Sequence, residues 1–223
     1  APGVQLGLWG RGLARLDVTV QDCVARGAAV EAARHDLRDG GGMIEALRAL
    51  DARQPLDIAI FNAGVGGMAP RHVAVEQAER ALEVATVNFS STIAGATAIA
   101  ERMVGRRAGH IVLIGSVAEA FPLPMAPAYA GSKAGLRMFA EALELRIAPH
   151  DVKVTLVSPG FIDTAMSRGV EGPKPFMLTA DTAAAAILRA VGRRSSRLTL
   201  PRRFAAVRIV AGLLPRALTR AVL

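Results

Sequence analysis

The chain has 223 residues, enough for one domain with a full hydrophobic core. Hydrophobic residues make up 52% and charged residues 21%, the balance of a globular protein, and no apolar run reaches the roughly 18 residues of a membrane span. The net charge of +8 is concentrated: from position 182 onward there are nine arginines and no acid, which leaves the rest near neutral and excludes a global nucleic-acid-binding surface.

The opening "APGVQLGLWG" has no initiator methionine, basic leader or signal-like run, and reads as a chain already in mid-fold. Residues 4–9 are predicted as a strand and 13–26 as a helix; 28–34 is the next strand, with a helix over roughly 43–53. "GGG" at 40–42 reads as a flexible loop. A buried strand at 56–64 ends in a glycine turn, and a long helix is expected from about 75 to 104. A strand at 109–116, a helix at 127–147, a strand at 152–160 and a last strand at 196–201 complete the order.

Strands of about five residues alternating with longer helices imply βαβ units, so the expected fold is α/β, with a doubly wound, mostly parallel sheet in one Rossmann-like domain. In such sheets ligands bind beyond the carboxyl ends of the strands. Asn62, Ala63, Gly64, Ser116, Pro159 and Gly160 all follow strands directly. Lone Cys23 has no disulfide partner in the chain and reads as a buried thiol of a reducing, cytoplasmic compartment. His35, His72, His110 and His150 lack ligand spacing, so no metal site is expected.

The only tyrosine, Tyr129, is followed four residues later by Lys133, one of three lysines, so both lie on one face of a helix. A phenol with a pKa near 10 is a poor acid or base at neutral pH, and a neighbouring ammonium pulls that value down. Ser116 is placed to donate a hydrogen bond to a substrate oxygen beside the phenol. Alone, such a pair is as well explained by a packing tyrosine and a turn serine.

Taken with its other motifs, the chain resembles the classical short-chain dehydrogenase/reductase family. "YAGSK" matches Tyr-x-x-x-Lys, with Ser116 thirteen residues before Tyr129. "NAG" at 62–64, Asn88 in "TVNFSS", "SPGFIDT" at 158–164 and Asp36 in "HDL" match further family landmarks in order. The resemblance implies an oxidoreductase that interconverts a carbonyl and a secondary alcohol by hydride transfer. Tyr129 is then the general acid or base, Ser116 holds the reacting oxygen, Lys133 tunes the phenol and binds the nicotinamide ribose, and Asn88 positions a relay water. Asp36 contacts the adenine; Asn62, Ala63, Gly64, Pro159, Gly160, Ile162 and Thr164 line the cofactor.

The family's first strand and its Thr-Gly-x-x-x-Gly-x-Gly turn, which cradles pyrophosphate, have no counterpart in the sequence. The fold is therefore expected to be N-terminally incomplete, with a gap between the strands at 4–9 and 56–64, and a truncated sequence is the expected reason. The end of the strand at 4–9, which aligns with the family's second, offers Arg11 and no acid; by the resemblance this favours NADP(H) over NAD(H), since a guanidinium suits a 2′-phosphate. Phe161, Met166, Phe176 and Met177, with the stretch 120–127, point to an apolar ketone or alcohol as the small-molecule substrate.

Residues 202–223 read as a basic amphipathic helix, suited to an anionic membrane surface or to packing on the body or on a partner subunit. The helices at 75–104 and 127–147 are those through which the family forms homo-oligomers. A rival reading keeps the fold without cofactor occupancy, as a binding or scaffold protein or an inactive truncated fragment, and the absent glycine turn is its support.

Overall fold

Strands and helices alternate along the chain in the computed structural model, which describes residues 3–66, 68 and 73–204. The order is β1 (Gln5–Gly10), α1 (Leu13–Ala25), β2 (Ala29–Arg34), α2 (Gly40–Arg53), β3 (Ile58–Phe61), α3 (Ala78–Ala85), α4 (Ser91–Arg106), β4 (Gly109–Ile114), α5 (Pro127–Ile147), β5 (Val152–Pro159), α6 (Ala165–Arg168), α7 (Ala180–Gly192) and β6 (Arg197–Leu200). All pairings among these strands are parallel. The fold is Rossmann-like α/β. The basic tail beyond Phe204 lies outside the described residues.

The described strands form two sheets, β1–β2 and β3–β4–β5–β6. The interruption falls between β1 and β3, where the sequence leaves a gap. Ile58 and Ile60 of β3 are about half exposed there, at 46% and 50%.

The inner strands explain the core through their period of two. Ile111 and Leu113 of β4, opposite Val154 and Leu156 of β5, pack on one face against Ile99 and Met103 of α4 and Leu136 of α5. Val112 and Val157 face the other way, against Ala183 and Val191 of α7 and Leu200 of β6. Apolar side chains on both faces of β4 and β5 account for their near-continuous hydrophobic sequence.

Three local expectations are corrected. The run 40–42 is the first turn of α2 rather than a loop, because the Asp39 carboxylate accepts a hydrogen bond from the Gly42 N–H at 2.9 Å and caps the helix. The long helix expected at 75–104 begins at Ala78 and carries a π-helical turn at Thr86–Ser90 between α3 and α4. Cys23 on α1 is only partly buried.

Candidate active site

Pro127 opens α5 at a position where a missing N–H costs nothing, and this start puts Tyr129 in the first turn. Lys133 follows one turn later and is buried at 5% exposure. Its Nζ donates to the Ile114 carbonyl at 2.8 Å and stands 5.8 Å from the centre of the Tyr129 ring. Thus α5 is tied to the end of β4 through the lysine.

Ser116, two residues beyond β4, is buried and caps the short 3₁₀ turn Val117–Ala120 by accepting from the Ala118 N–H at 3.1 Å. That bond uses an oxygen lone pair and leaves the hydroxyl proton to donate.

Asn88 lies in the π-helical turn, buried at 1% exposure. Its Oδ1 accepts from the Val65 N–H at 2.7 Å, and its Nδ2 donates to the Val65 carbonyl at 2.8 Å. Nδ2 also approaches the Ser132 Oγ at 3.4 Å. The amide acts as a strand-like partner for the turn after β3. Single π-turns inside helices frequently mark functional positions, and here the extra residue delivers Asn88 to that turn.

Gly64 shows how closely the parts converge. A Cβ at this position would stand 3.2 Å from the Asn88 Oδ1 and 3.9 Å from the Lys133 Nζ. Gly64, Asn88, Ser116, Tyr129 and Lys133 therefore gather at the carboxyl ends of β3 and β4.

The electrostatics of the pair differ from the expectation. Burial raises the Tyr129 phenol above its ordinary value, and the Ser116 hydroxyl only partly opposes this. Burial also lowers Lys133 to about 8, with the Glu119 carboxylate pulling the other way. The ammonium does not lower the phenol here because desolvation dominates both groups.

The remaining sequence-selected residues occupy the same edge with different partners. Pro159 closes β5, and the Gly160 N–H donates to the Leu200 carbonyl at 2.7 Å. Ile162 bridges to Leu178, which shapes the loop 161–178, while the Thr164 hydroxyl caps α6. Asn62 and Ala63 are exposed beyond β3. Further out, Arg11 follows β1 half-exposed, 3.7 Å from a Glu83 carboxylate oxygen. Asp36 beyond β2 is held down to about 2, chiefly by hydrogen bonds from the side chain and N–H of Arg38.

Sequence reasoning missed Glu119, Ser158 and Arg197, a polar cluster near Ser116 in which the glutamate and serine are buried and the arginine partly so. The Ser158 hydroxyl donates to the Glu119 Oε1 at 2.9 Å, and the Arg197 guanidinium pairs with the same oxygen. The one available signal was a glutamate three residues after Ser116, inside an otherwise apolar stretch.

Comparison with known proteins gives the same assignment. Residues 1–174 match the family described as short chain dehydrogenase. An uncharacterized oxidoreductase of Myxococcus xanthus is 30% identical over 217 residues, covering 97% of this chain and 85% of the relative. The Bos taurus protein named dehydrogenase/reductase SDR family member 7B is 31% identical, over 75% of this chain and 53% of its own length. The solved structure of a Sphingobium yanoikuyae short-chain dehydrogenase in complex with NADPH superposes with a TM-score of 0.81 at 28% identity, over 96% of this chain and 88% of that one. The chain belongs to the short-chain dehydrogenase/reductase family, and it is an oxidoreductase.

Proposed function

We propose that this oxidoreductase uses NADP(H) to interconvert a carbonyl and a secondary alcohol, with Tyr129 exchanging the proton. The observation that carries the reading is the convergence of Tyr129, Ser116, Lys133 and Asn88 at one sheet end.

The residues present fit the nicotinamide end of such a cofactor. Gly64 offers backbone without a side chain beside Lys133, and Pro159–Gly160 and Ile162 provide a turn beyond β5. When bound, the nicotinamide supplies the hydride. Lys133 would hold the ribose, and the exposed Asn62–Ala63 backbone would lie along it. Arg11 supports the preference for a 2′-phosphate: its pairing with Glu83 is long and half-exposed, so the guanidinium exchanges partners at little cost. The NADPH bound to the Sphingobium relative points the same way.

In reduction, the Ser116 hydroxyl donates a hydrogen bond to the substrate oxygen, and the Tyr129 hydroxyl passes its proton to that oxygen as negative charge develops. The phenol holds its proton at neutral pH, and because burial makes it a weaker acid the transfer depends on charge that stabilises the phenolate formed. Lys133, as an ammonium, then stabilises the phenolate left behind, and Asn88 fixes the turn after β3 that faces both.

An apolar substrate fits the surroundings. Met68, Met166, Phe176 and Met177 are exposed around the site, and Met166 lies against Gly66. We place contact between copies of the chain on α3 and α5, where Leu82, Met138 and Leu145 are exposed.

The test is NADPH oxidation against a panel of apolar ketones, comparing the parent with Tyr129→Phe. Turnover by the parent and its loss in the variant, with NADPH binding retained, is the expected result. Equal turnover in both would overturn the assignment.

A further inference from the structure

Glu119 is unusual for a carboxylate: it is 5% exposed, and its Oε2 has no hydrogen-bond partner among the described residues. Buried charges need partners. Oε1 has two, the Ser158 hydroxyl at 2.9 Å and the Arg197 guanidinium, and Arg197 in turn reaches Glu141 of α5 at 2.6 Å. Oε2 lies elsewhere, 2.9 Å from where a Cβ of Gly115 would stand. Gly115 joins Ile114, whose carbonyl accepts the Lys133 ammonium, to Ser116. Only a residue without a side chain lets the carboxylate approach this strand end.

We propose that Glu119 is a positioning residue for Lys133: a buried carboxylate, anchored by Arg197 and Ser158, that puts negative charge behind the Gly115 link and holds the lysine as its ammonium. The inference rests on the reading of Tyr129 and Lys133 as the reacting pair. The charged and polar side chains that act on Glu119 are Arg197 from β6, Arg137 from α5 and the neutral Ser158 from β5, and Glu119 in turn acts on Lys133 of α5. Burial pushes Glu119 above its ordinary value, and the Arg197 charge and Ser158 hydroxyl oppose this. Burial works against Lys133 as well, and Glu119 is the charge that counters it. Glu119 thus supports the ionised form of Lys133 across the strand end, while its own charge is held by Arg197 and Ser158.

The experiment needs no substrate. The chain has three lysines, Lys133, Lys153 and Lys174, so carbon-13 labelling gives three side-chain signals that can be titrated by NMR. The Lys133 signal is identified by its loss in Lys133→Met. In the parent its midpoint is expected near 8. In Glu119→Gln it is expected to fall by about one pH unit, the scale for loss of a nearby opposite charge. Glu119→Asp, which keeps the charge, should restore most of the shift. Should Glu119→Gln not fold, Glu119→Met decides, because it removes the charge with an apolar side chain of similar length and should lower the same midpoint. An unchanged Lys133 midpoint in a folded Glu119→Gln or Glu119→Met variant overturns the inference, whatever the parent's activity. A shifted midpoint in a parent without hydride transfer supports the coupling and sinks the catalytic reading instead.

Discussion

The Lys133 ammonium reaches past its own helix to the Ile114 carbonyl, at 2.8 Å, so the residue after one turn of α5 is locked to the last residue of β4. That single bond fixes the height of Tyr129, on the same helix face, above the strand end that carries Ser116.

The lysine should therefore control the pH profile. Its folded value of about 8 means that the ammonium is present below that pH and lost above it. Carbonyl reduction is expected to decline above about pH 8 in the parent. Lys133→Arg, which stays charged, should lack that limb even if its overall rate is lower. Stability moves in the opposite direction. Between about 8 and the ordinary value of 10.5, the unfolded chain binds a proton that the folded chain does not, so Lys133's contribution to stability rises with pH across that window. Denaturant unfolding of the parent and of Lys133→Met at stepped pH checks both the sign and the window.

Asn88 has a structural cost attached to its removal. Asn88→Ala deletes two hydrogen bonds that satisfy both backbone groups of Val65 in a part-buried turn. A loss of about 2–4 kcal/mol is expected, from two lost bonds and the groups left unpaired. Thermal unfolding should show it as a lowered midpoint. A melt unchanged from the parent would mean that water replaces the amide.

The sequence made most of the site legible because its parts are either close in the chain or follow strands. Ser116, Tyr129 and Lys133 fall within one strand–turn–helix unit, so chain order together with the family resemblance placed them together. The Gly64 turn was legible because "NAG" ends an apolar run. Asn88 was found by motif, but not its π-turn: that register is set by bonds to Val65, which is 23 residues away. Glu119 was missed for the same physical reason, since Ser158 and Arg197 lie 39 and 78 residues further on. The first turn of α2 was misread because three glycines outweighed the Asp39 cap in a local reading. The sign of the Tyr129 shift was also not legible, because desolvation depends on burial and not on the tyrosine–lysine spacing.

Histidine 110 gives a separate acid limb to stability. His110 is 4% exposed and shares a 2.7 Å hydrogen bond with the Thr155 hydroxyl. Burial, with the charges of Arg194 and Lys153, holds it below the ordinary 6.5. Below that pH the unfolded chain takes up a proton that the folded chain refuses, so stability falls as the solution is acidified from about 6.5. In His110→Gln this part of the slope should vanish. An identical slope in both proteins would assign the acid loss to carboxylates.

Cofactor choice should follow Arg11. Replacing it by alanine removes a cation from the end of β1 while breaking only a long, half-exposed pair with Glu83. NADPH is expected to bind about ten- to a hundredfold more weakly, the scale of a hydrogen bond to a charged group, with NADH binding unchanged. Fluorescence titration of both nucleotides measures this, and equal weakening of the two would assign Arg11 a structural role.

The central claim is that the Tyr129 hydroxyl delivers the proton in carbonyl reduction. The most direct measurement is the turnover number for NADPH oxidation with a ketone accepted by the parent, set beside that of Tyr129→Phe, with NADPH affinity measured in both. The account expects turnover to drop by about 10²- to 10⁴-fold, the share carried by a positioned general acid, while NADPH affinity stays within a few-fold. Turnover by the phenylalanine variant within a few-fold of the parent would contradict it.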